Sequence, residues 1–277
     1  MSEQLQMDDR RHNGSNSHPN LANWHGLLFA IRLTLIAIAW LVLCKDDMFK
    51  KAYGITETKK GYGITGTGLR PIYPSGYACS PLTSLYASMR DVDGTRREEP
   101  HSGVDGGRFG DAVLAPADGT VKAVWRANWG WGEEGALIIR HSREDLNLLT
   151  GAPFYYSEFD HLRYEDVVRL KEGQQVKRGD RIGTVDRPGG KRKYLPEVHW
   201  EVHEVTDDSA IEWKVGEYGT QIWTNKASEI IDPLYLMSLN ADPATRNGVR
   251  ITPFDASTDY SQFRGFTYIL PCPRENG

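Results

Sequence analysis

EVHWEVHEV, residues Glu197–Val205, alternates polar and apolar side chains without a break. Period two is the signature of a β-strand, because successive side chains leave opposite faces of the pleat. Val198, Trp200 and Val202 therefore share one face, suited to a core, and Glu197, His199, Glu201 and His203 share the other. Four ionisable groups on one face of a short strand are costly to bury unless each is paired. That face must look onto solvent, a metal or a cleft.

Working outward, the neighbouring stretches carry the same character. VLAPADGTVKAVW (residues 113–125) reads as strand, turn, strand, with Asp118-Gly119 as a hairpin signal. GALIIRH (135–141) is a short β-branched strand, and DVVRLKEGQQVKRGDRIGTV (166–185) places short strands around two glycine-punctuated turns. The 28 glycines and 14 prolines are spread through the chain, as many turns require. The fold class is mostly β, built on antiparallel sheet. Residues 45–95 are rich in Gly, Tyr, Thr and Pro with no helical period and read as a stalk or lead-in. Residues 241–277 read as a loop-like extension up to FTYIL and Cys272, and no internal repeat is visible.

Five of the eight histidines fall in the β-rich body: His101, His141, His161, His199 and His203. A hydrolytic zinc takes about three N or O ligands from the protein and leaves one position for water. In HSGVDGG the glycines at 103, 106 and 107 argue against a helix, so a tight loop presents His101 and Asp105. Such a pair alone is more often a hydrogen-bonded surface pair. His199 on the four-charge strand strengthens the metal reading, and Glu201 beside it is placed to orient a ligand from behind. His203 lies about 13 Å along the strand from His199, so it reads as a surface or supporting residue. His141, which closes a strand, reads as structural or as an edge of the substrate cleft in preference to a ligand.

The rest of the chain sets the surroundings. A net charge of −4 gives no reason to expect nucleic acid. Residues 1–25 are polar and read as a tail. Gly26–Cys44, GLLFAIRLTLIAIAWLVLC, is just long enough to cross a bilayer as a helix, with Arg32 near its start able to snorkel to the headgroups. It reads as an uncleaved anchor in preference to a cleaved signal peptide or a buried helix, since no small-x-small cleavage site follows. Of three cysteines, Cys44 ends that run, leaving Cys79 and Cys272 either as a bonded pair or as two separate thiols.

Taken in order, HSGVD, APADGTVKAV, GALIIRH, FDHL, EGQQVKRGDRIGTV, VHWEV and DPLYL resemble the lysostaphin/LytM-type peptidoglycan metallopeptidases over roughly residues 96–240. The resemblance implies a sheet or sandwich of the duplicated-hybrid-motif type and one zinc ion per chain, held by His101, Asp105 and His199. It implies catalytic assistance from His161 in FDHL. The family's second catalytic histidine falls on Glu197, a departure: glutamate is a competent general base, but when ionised it donates no hydrogen bond to an oxyanion. An alternative register, with His199 catalytic and Glu201 a ligand, fits Trp200-Glu201 less well. The implied activity is hydrolysis of amide bonds in peptidoglycan peptides. Lys191, Arg192 and Lys193 then stand at the rim, to meet stem-peptide carboxylates, and Trp129 and Trp131 line the groove or simply pack. The substrate implies an anchor in the cytoplasmic membrane through residues 26–44 with the domain outside it. Two other readings follow: a non-catalytic regulator that activates other cell-wall hydrolases, favoured by Glu197, and, more remotely, a sugar-transport phosphocarrier of related architecture.

Overall fold

The computed structural model describes residues 63–127, 132–186, 196–215, 221–240 and 247–275. The apolar run at 26–44, the tail before it, Trp129, Trp131, Lys191, Arg192 and Lys193 lie outside the described residues. Among the described residues no helix is long and apolar enough to cross a membrane.

Among the described residues fourteen strands follow in chain order. They are β1 (Arg70–Ile72), β2 (Leu82–Ser84), β3 (Val104–Gly106), β4 (Ala112–Leu114), β5 (Gly119–Ala127), β6 (Glu134–Ser142) and β7 (Phe154–Leu162). Then come β8 (Gln175–Val176), β9 (Arg181–Thr184), β10 (Val198–Val205), β11 (Ile211–Val215), β12 (Gln221–Asn225), β13 (Ser228–Ile231) and β14 (Gly248–Arg250). The alternating stretch that opened the sequence analysis is β10, and it is the middle of the principal sheet. That sheet runs β2-β3-β10-β7-β6-β5-β8, antiparallel throughout, with β13 also on β10. One edge of β10 is shared: β3 pairs with Val198–Trp200 and β13 with Val202–Val205, while β7 runs along the other edge.

The apolar face of β10 goes where the alternation put it. Val198, Trp200 and Val202 are buried. The Trp200 ring stacks on Phe159 of β7 at 6.0 Å between centroids and tilts against Phe266 at 5.5 Å. Phe266, Tyr268, Ile269 and Leu270, beyond residue 240, are buried in the same core. So are Tyr73, Leu82 and Leu85 of the lead-in, in part. A disulfide joins the two flanking segments, Cys79 to Cys272, across 193 residues of sequence. A loop of that length removes conformational entropy from the unfolded chain equivalent to about 5 kcal/mol in the simplest polymer account.

Two local readings change. Asp118-Gly119 is not a hairpin turn: β4 pairs with β9, whereas β5 pairs with β6 and β8. Gly119 is needed for close approach, because a Cβ there would stand 2.7 Å from the Ile139 side chain and 2.8 Å from the Arg140 carbonyl. Asp118 accepts hydrogen bonds from the Arg178 amide and the Lys177 ammonium instead. The pattern also gave no warning of two short helices, Tyr164–Val167 and Pro233–Ser238. The second starts at Asp232, whose side chain accepts from the Leu234 amide ahead of a proline at the first helical position.

His141 is a core residue, as its strand-end position implied. It is fully buried, its Nδ1 donating to the Asp118 carbonyl at 2.7 Å and its Nε2 3.1 Å from the Ser157 hydroxyl. Burial pushes its imidazole down to about 4 from an ordinary 6.5. Between those values the unfolded chain binds the proton and the folded one does not. Stability from this site is therefore complete above about pH 6.5 and falls as the pH drops toward 4, by about 3 kcal/mol in all. Urea unfolding of wild type and His141→Asn across that range is expected to show the difference: the variant, less stable near neutrality, loses less on acidification. An equal pH slope in the two proteins overturns this assignment.

Candidate metal centre

The polar face of β10 meets His101 at the junction of β3, β10 and β7. HSGVDGG was read as a loop, but its second half is a strand: Val104–Gly106 hydrogen-bonds β10 on one side and β2 on the other. Asp105 thereby stands directly opposite His199, and Asp160 of β7 faces His199 from the other edge. His101 arrives from the turn before β3, which presses on β10 so closely that a Cβ at Gly103 would lie 2.3 Å from the Trp200 carbonyl oxygen. Glycine at 103 is what lets His101 and Asp105 converge.

Three atoms come together there. His101 Nε2 is 3.0 Å from Asp105 Oδ1 and 3.1 Å from His199 Nδ1, and the last two are 2.7 Å apart. What lies behind each imidazole fixes which nitrogen carries the proton. His101 Nδ1 is 3.0 Å from the Leu85 carbonyl, which can only accept, so Nδ1 donates and Nε2 presents a lone pair. His199 Nε2 is 3.1 Å from Glu201 Oε1, so its Nδ1 likewise presents a lone pair. Two nitrogen lone pairs and a carboxylate oxygen then point at one another in a buried place. That arrangement is repulsive unless a proton or a cation sits among them. Ligands at 2.0–2.1 Å on a tetrahedral zinc are spaced about 3.3 Å from each other, close to the separations found. The donor set and its spacing fit a zinc ion, with the Leu85 carbonyl and Glu201 as the outer partners that orient its histidines.

Without a cation, protons fill the role. Burial pushes His199 down, but hydrogen bonds and charge from Asp105 and Glu201 outweigh it and hold the imidazole well above its ordinary range. Asp105 resists its burial because His101 and His199 hold its carboxyl far below the usual value. Arg97 adds a cation on the far oxygen, with its guanidinium 3.1 Å from Asp105 Oδ2.

Other residues singled out from the sequence fall around this centre. His161 lies on β7 with its ring 6.5 Å from that of His199, edge to face. Glu197 immediately precedes β10 and is partly exposed. Glu201 supports His199 as expected, and also accepts from Ser102. His203 is buried, not on the surface: its Nε2 meets Glu201 Oε2 at 3.1 Å and its ring packs on Trp223 at 4.6 Å. Glu158 joins Glu201 and His203 in a second acidic cluster, and burial together with Asp160 and Glu201 pushes its carboxyl well above the usual range. Asp160 is likewise raised, to about 6, by burial. Sequence reasoning missed Glu134, Arg97 and Asp160. Asp160 was visible inside FDHL, while Glu134 and Arg97 sit in charged stretches that resemble ordinary solvated turns.

Part of the chain is similar to known proteins. Residues 99–212 match the model of peptidase family M23. A protein described as an uncharacterized metalloprotease of Haemophilus influenzae is 36% identical over 135 residues, which is 46% of this chain and 25% of that one. The chain thus spans about a quarter of the length of this curated relative. Among solved structures, a zinc-containing peptidase from Vibrio cholerae shares 28% identity over 47% of this chain and 35% of its own, at a TM-score of 0.33. The antimicrobial peptidase lysostaphin from Staphylococcus simulans shares 18% over 52% of this chain and 61% of its own, at a TM-score of 0.28. The match to peptidase family M23 thus covers residues 99–212, the part of this chain that carries His101, Asp105, His161 and His199 in a mostly antiparallel β fold.

Proposed function

We propose that this chain is a zinc-dependent endopeptidase that hydrolyses amide bonds in the peptide bridges of bacterial peptidoglycan. The observation that carries the reading is the convergence of His101, Asp105 and His199 on one point with their outer nitrogens already engaged. One zinc ion per chain, held by those three residues, would polarise the scissile carbonyl and make water nucleophilic near neutral pH. The protein's own part is to hold and aim. Leu85 and Glu201 keep the two histidines in the ligating tautomer. His161, beside His199, takes the proton from the attacking water and returns it to the leaving amine. Glu197 is the second group placed to position that water. Lys191, Arg192 and Lys193, on the segment leading into β10, meet the carboxylates of stem peptides.

Peptidoglycan lies outside the cytoplasmic membrane. The reading therefore includes a single-pass anchor at residues 26–44 with the domain on the outer side, where the Cys79–Cys272 disulfide is supported by an oxidising environment. A second reading is favoured by one observation. Glu197 stands where the family resemblance calls for a histidine, which suits a non-catalytic regulator that binds and activates another cell-wall hydrolase.

Two measurements test these readings. The full chain is expected to bind one zinc ion. At zinc about 1,000-fold above its Kd, binding adds about 4 kcal/mol of stability, a rise in Tm of roughly 10 °C; His101→Ala loses both. A zinc-free wild type that shows no thermal shift rules out the metal centre. Incubated with purified sacculi, the zinc-loaded protein is expected to release soluble muropeptides, with His161→Ala slowed about 100- to 10,000-fold and Glu197→Ala also slowed. Stoichiometric zinc with no muropeptides from wild type would sink the endopeptidase reading and favour the regulator.

A further inference from the structure

His161 has a backbone and a partner that the family resemblance does not supply. Pairing of β6 with β7 slips between Gly135–Leu162 and Leu137–Phe159, so two steps on β6 oppose three on β7. The extra residue is a β-bulge at Asp160-His161, and His161 takes a left-handed conformation with φ of 61°. Bulges bend a strand and re-aim a side chain. A left-handed histidine costs about 1 kcal/mol or more and persists only where its surroundings impose it. The bulge turns the ring toward His199. It also seats Nδ1 on the carboxylate of Glu134, the first residue of β6.

Glu134 is unusual in its own right. It is fully buried, and among the described residues its other oxygen, Oε1, has no hydrogen-bond partner. A carboxylate with no exposed surface and one partnered oxygen is expensive to keep. The next residue, Gly135, leaves the opposite face of β6, where a Cβ would press on Val167 and the Tyr164 backbone. What Glu134 does hold is an imidazole.

We infer that Glu134 is a positioning residue for His161. Its carboxylate accepts the Nδ1 proton, fixes the ring in the Nδ1–H tautomer and orients Nε2 as the nitrogen that exchanges a proton at the reacting centre. The physical logic is that of a carboxylate behind a catalytic imidazole: the wrong tautomer presents N–H where a base is needed. The inference rests on the catalytic role proposed for His161, but the tautomer is a property of the folded chain and is measurable without substrate.

The test has two arms. In the full chain labelled with ¹⁵N-histidine, long-range ¹H–¹⁵N correlation spectra in alkaline buffer report which ring nitrogen carries the proton, with His161→Ala assigning the signals. Wild type is expected to show Nδ1 protonated. Glu134→Gln is expected to show both tautomers, because an amide can present oxygen or NH₂, and Glu134→Leu mainly Nε2 protonated. Thermal melts identify any variant that fails to fold, and either variant alone decides the arm. An unchanged tautomer in the folded variants overturns the inference. The second arm is kinetic. Glu134→Gln is expected to lower kcat on peptidoglycan about 10- to 100-fold with KM little altered, and Glu134→Gln combined with His161→Ala is expected to be no slower than His161→Ala alone. Additive losses overturn the inference. A wild type without peptidoglycan activity overturns the proposed function instead, and the tautomer arm still decides the role of Glu134.

Discussion

Everything at the centre depends on one strand having two incompatible faces. β10 must bury Val198, Trp200 and Val202 in the core while offering His199, Glu201 and His203 to a polar cluster. A one-residue slip in its pairing would reverse both assignments at once, placing charge in the core and a tryptophan on the metal. Register is therefore held by the full burial of Trp200 between Phe159 and Phe266 as much as by hydrogen bonds. Truncating such a side chain typically costs about 3–5 kcal/mol, a large part of the stability of an ordinary domain. The same packing that stabilises the sheet sets Asp105 and His199 on one rung, so core and site share one geometric constraint.

The site is also strongly acidic for a buried place. Asp105, Glu134, Glu158, Asp160 and Glu201 all lie within or next to it, and their burial classes run from fully buried to half-buried. Their shifts divide sharply. Asp105 and Glu201, each backed by two histidines, are held low despite burial, whereas Glu158 and Asp160 are driven up. Pairing decides between the outcomes: two histidines offset the desolvation of Asp105 and of Glu201, whereas the single Trp223 indole N–H on Glu158 does not. A divalent cation among His101, Asp105 and His199 would supply the charge that this group of carboxylates otherwise draws from protons.

Much of this was legible in the chain. Strict alternation at residues 197–205 revealed β10, both its faces and the buried role of Trp200. His101, Asp105 and His199 were legible as a set through the resemblance to the lysostaphin/LytM-type enzymes, and the structure brings the three side chains together. The errors share a cause. Asp118-Gly119 was read as a turn because glycine signals both tight turns and close packing, and only the third dimension shows that Ile139 and Arg140 crowd it. Glu134 left no trace because a bulge is invisible in a hydrophobic pattern: the extra residue at Asp160-His161 changes where a side chain points without changing its polarity. His203 was left between a surface and a supporting place, and it supports Glu201, because alternation gives the face, not what covers it; here the cover is Trp223 of β12.

The Cys79–Cys272 bond carries a further consequence. His101, Asp105 and His199 all lie within the covalent ring it closes. A single proteolytic cut at an exposed loop inside that ring, such as the one around Leu149, converts the ring into two tethered fragments and releases neither. Because β5, β6, β7 and β10 remain paired across such a nick, the cut chain keeps its sheet. Loss of the covalent tether then requires reduction as well as cleavage. That topology is a form of resistance to proteolysis independent of how tightly the core is packed.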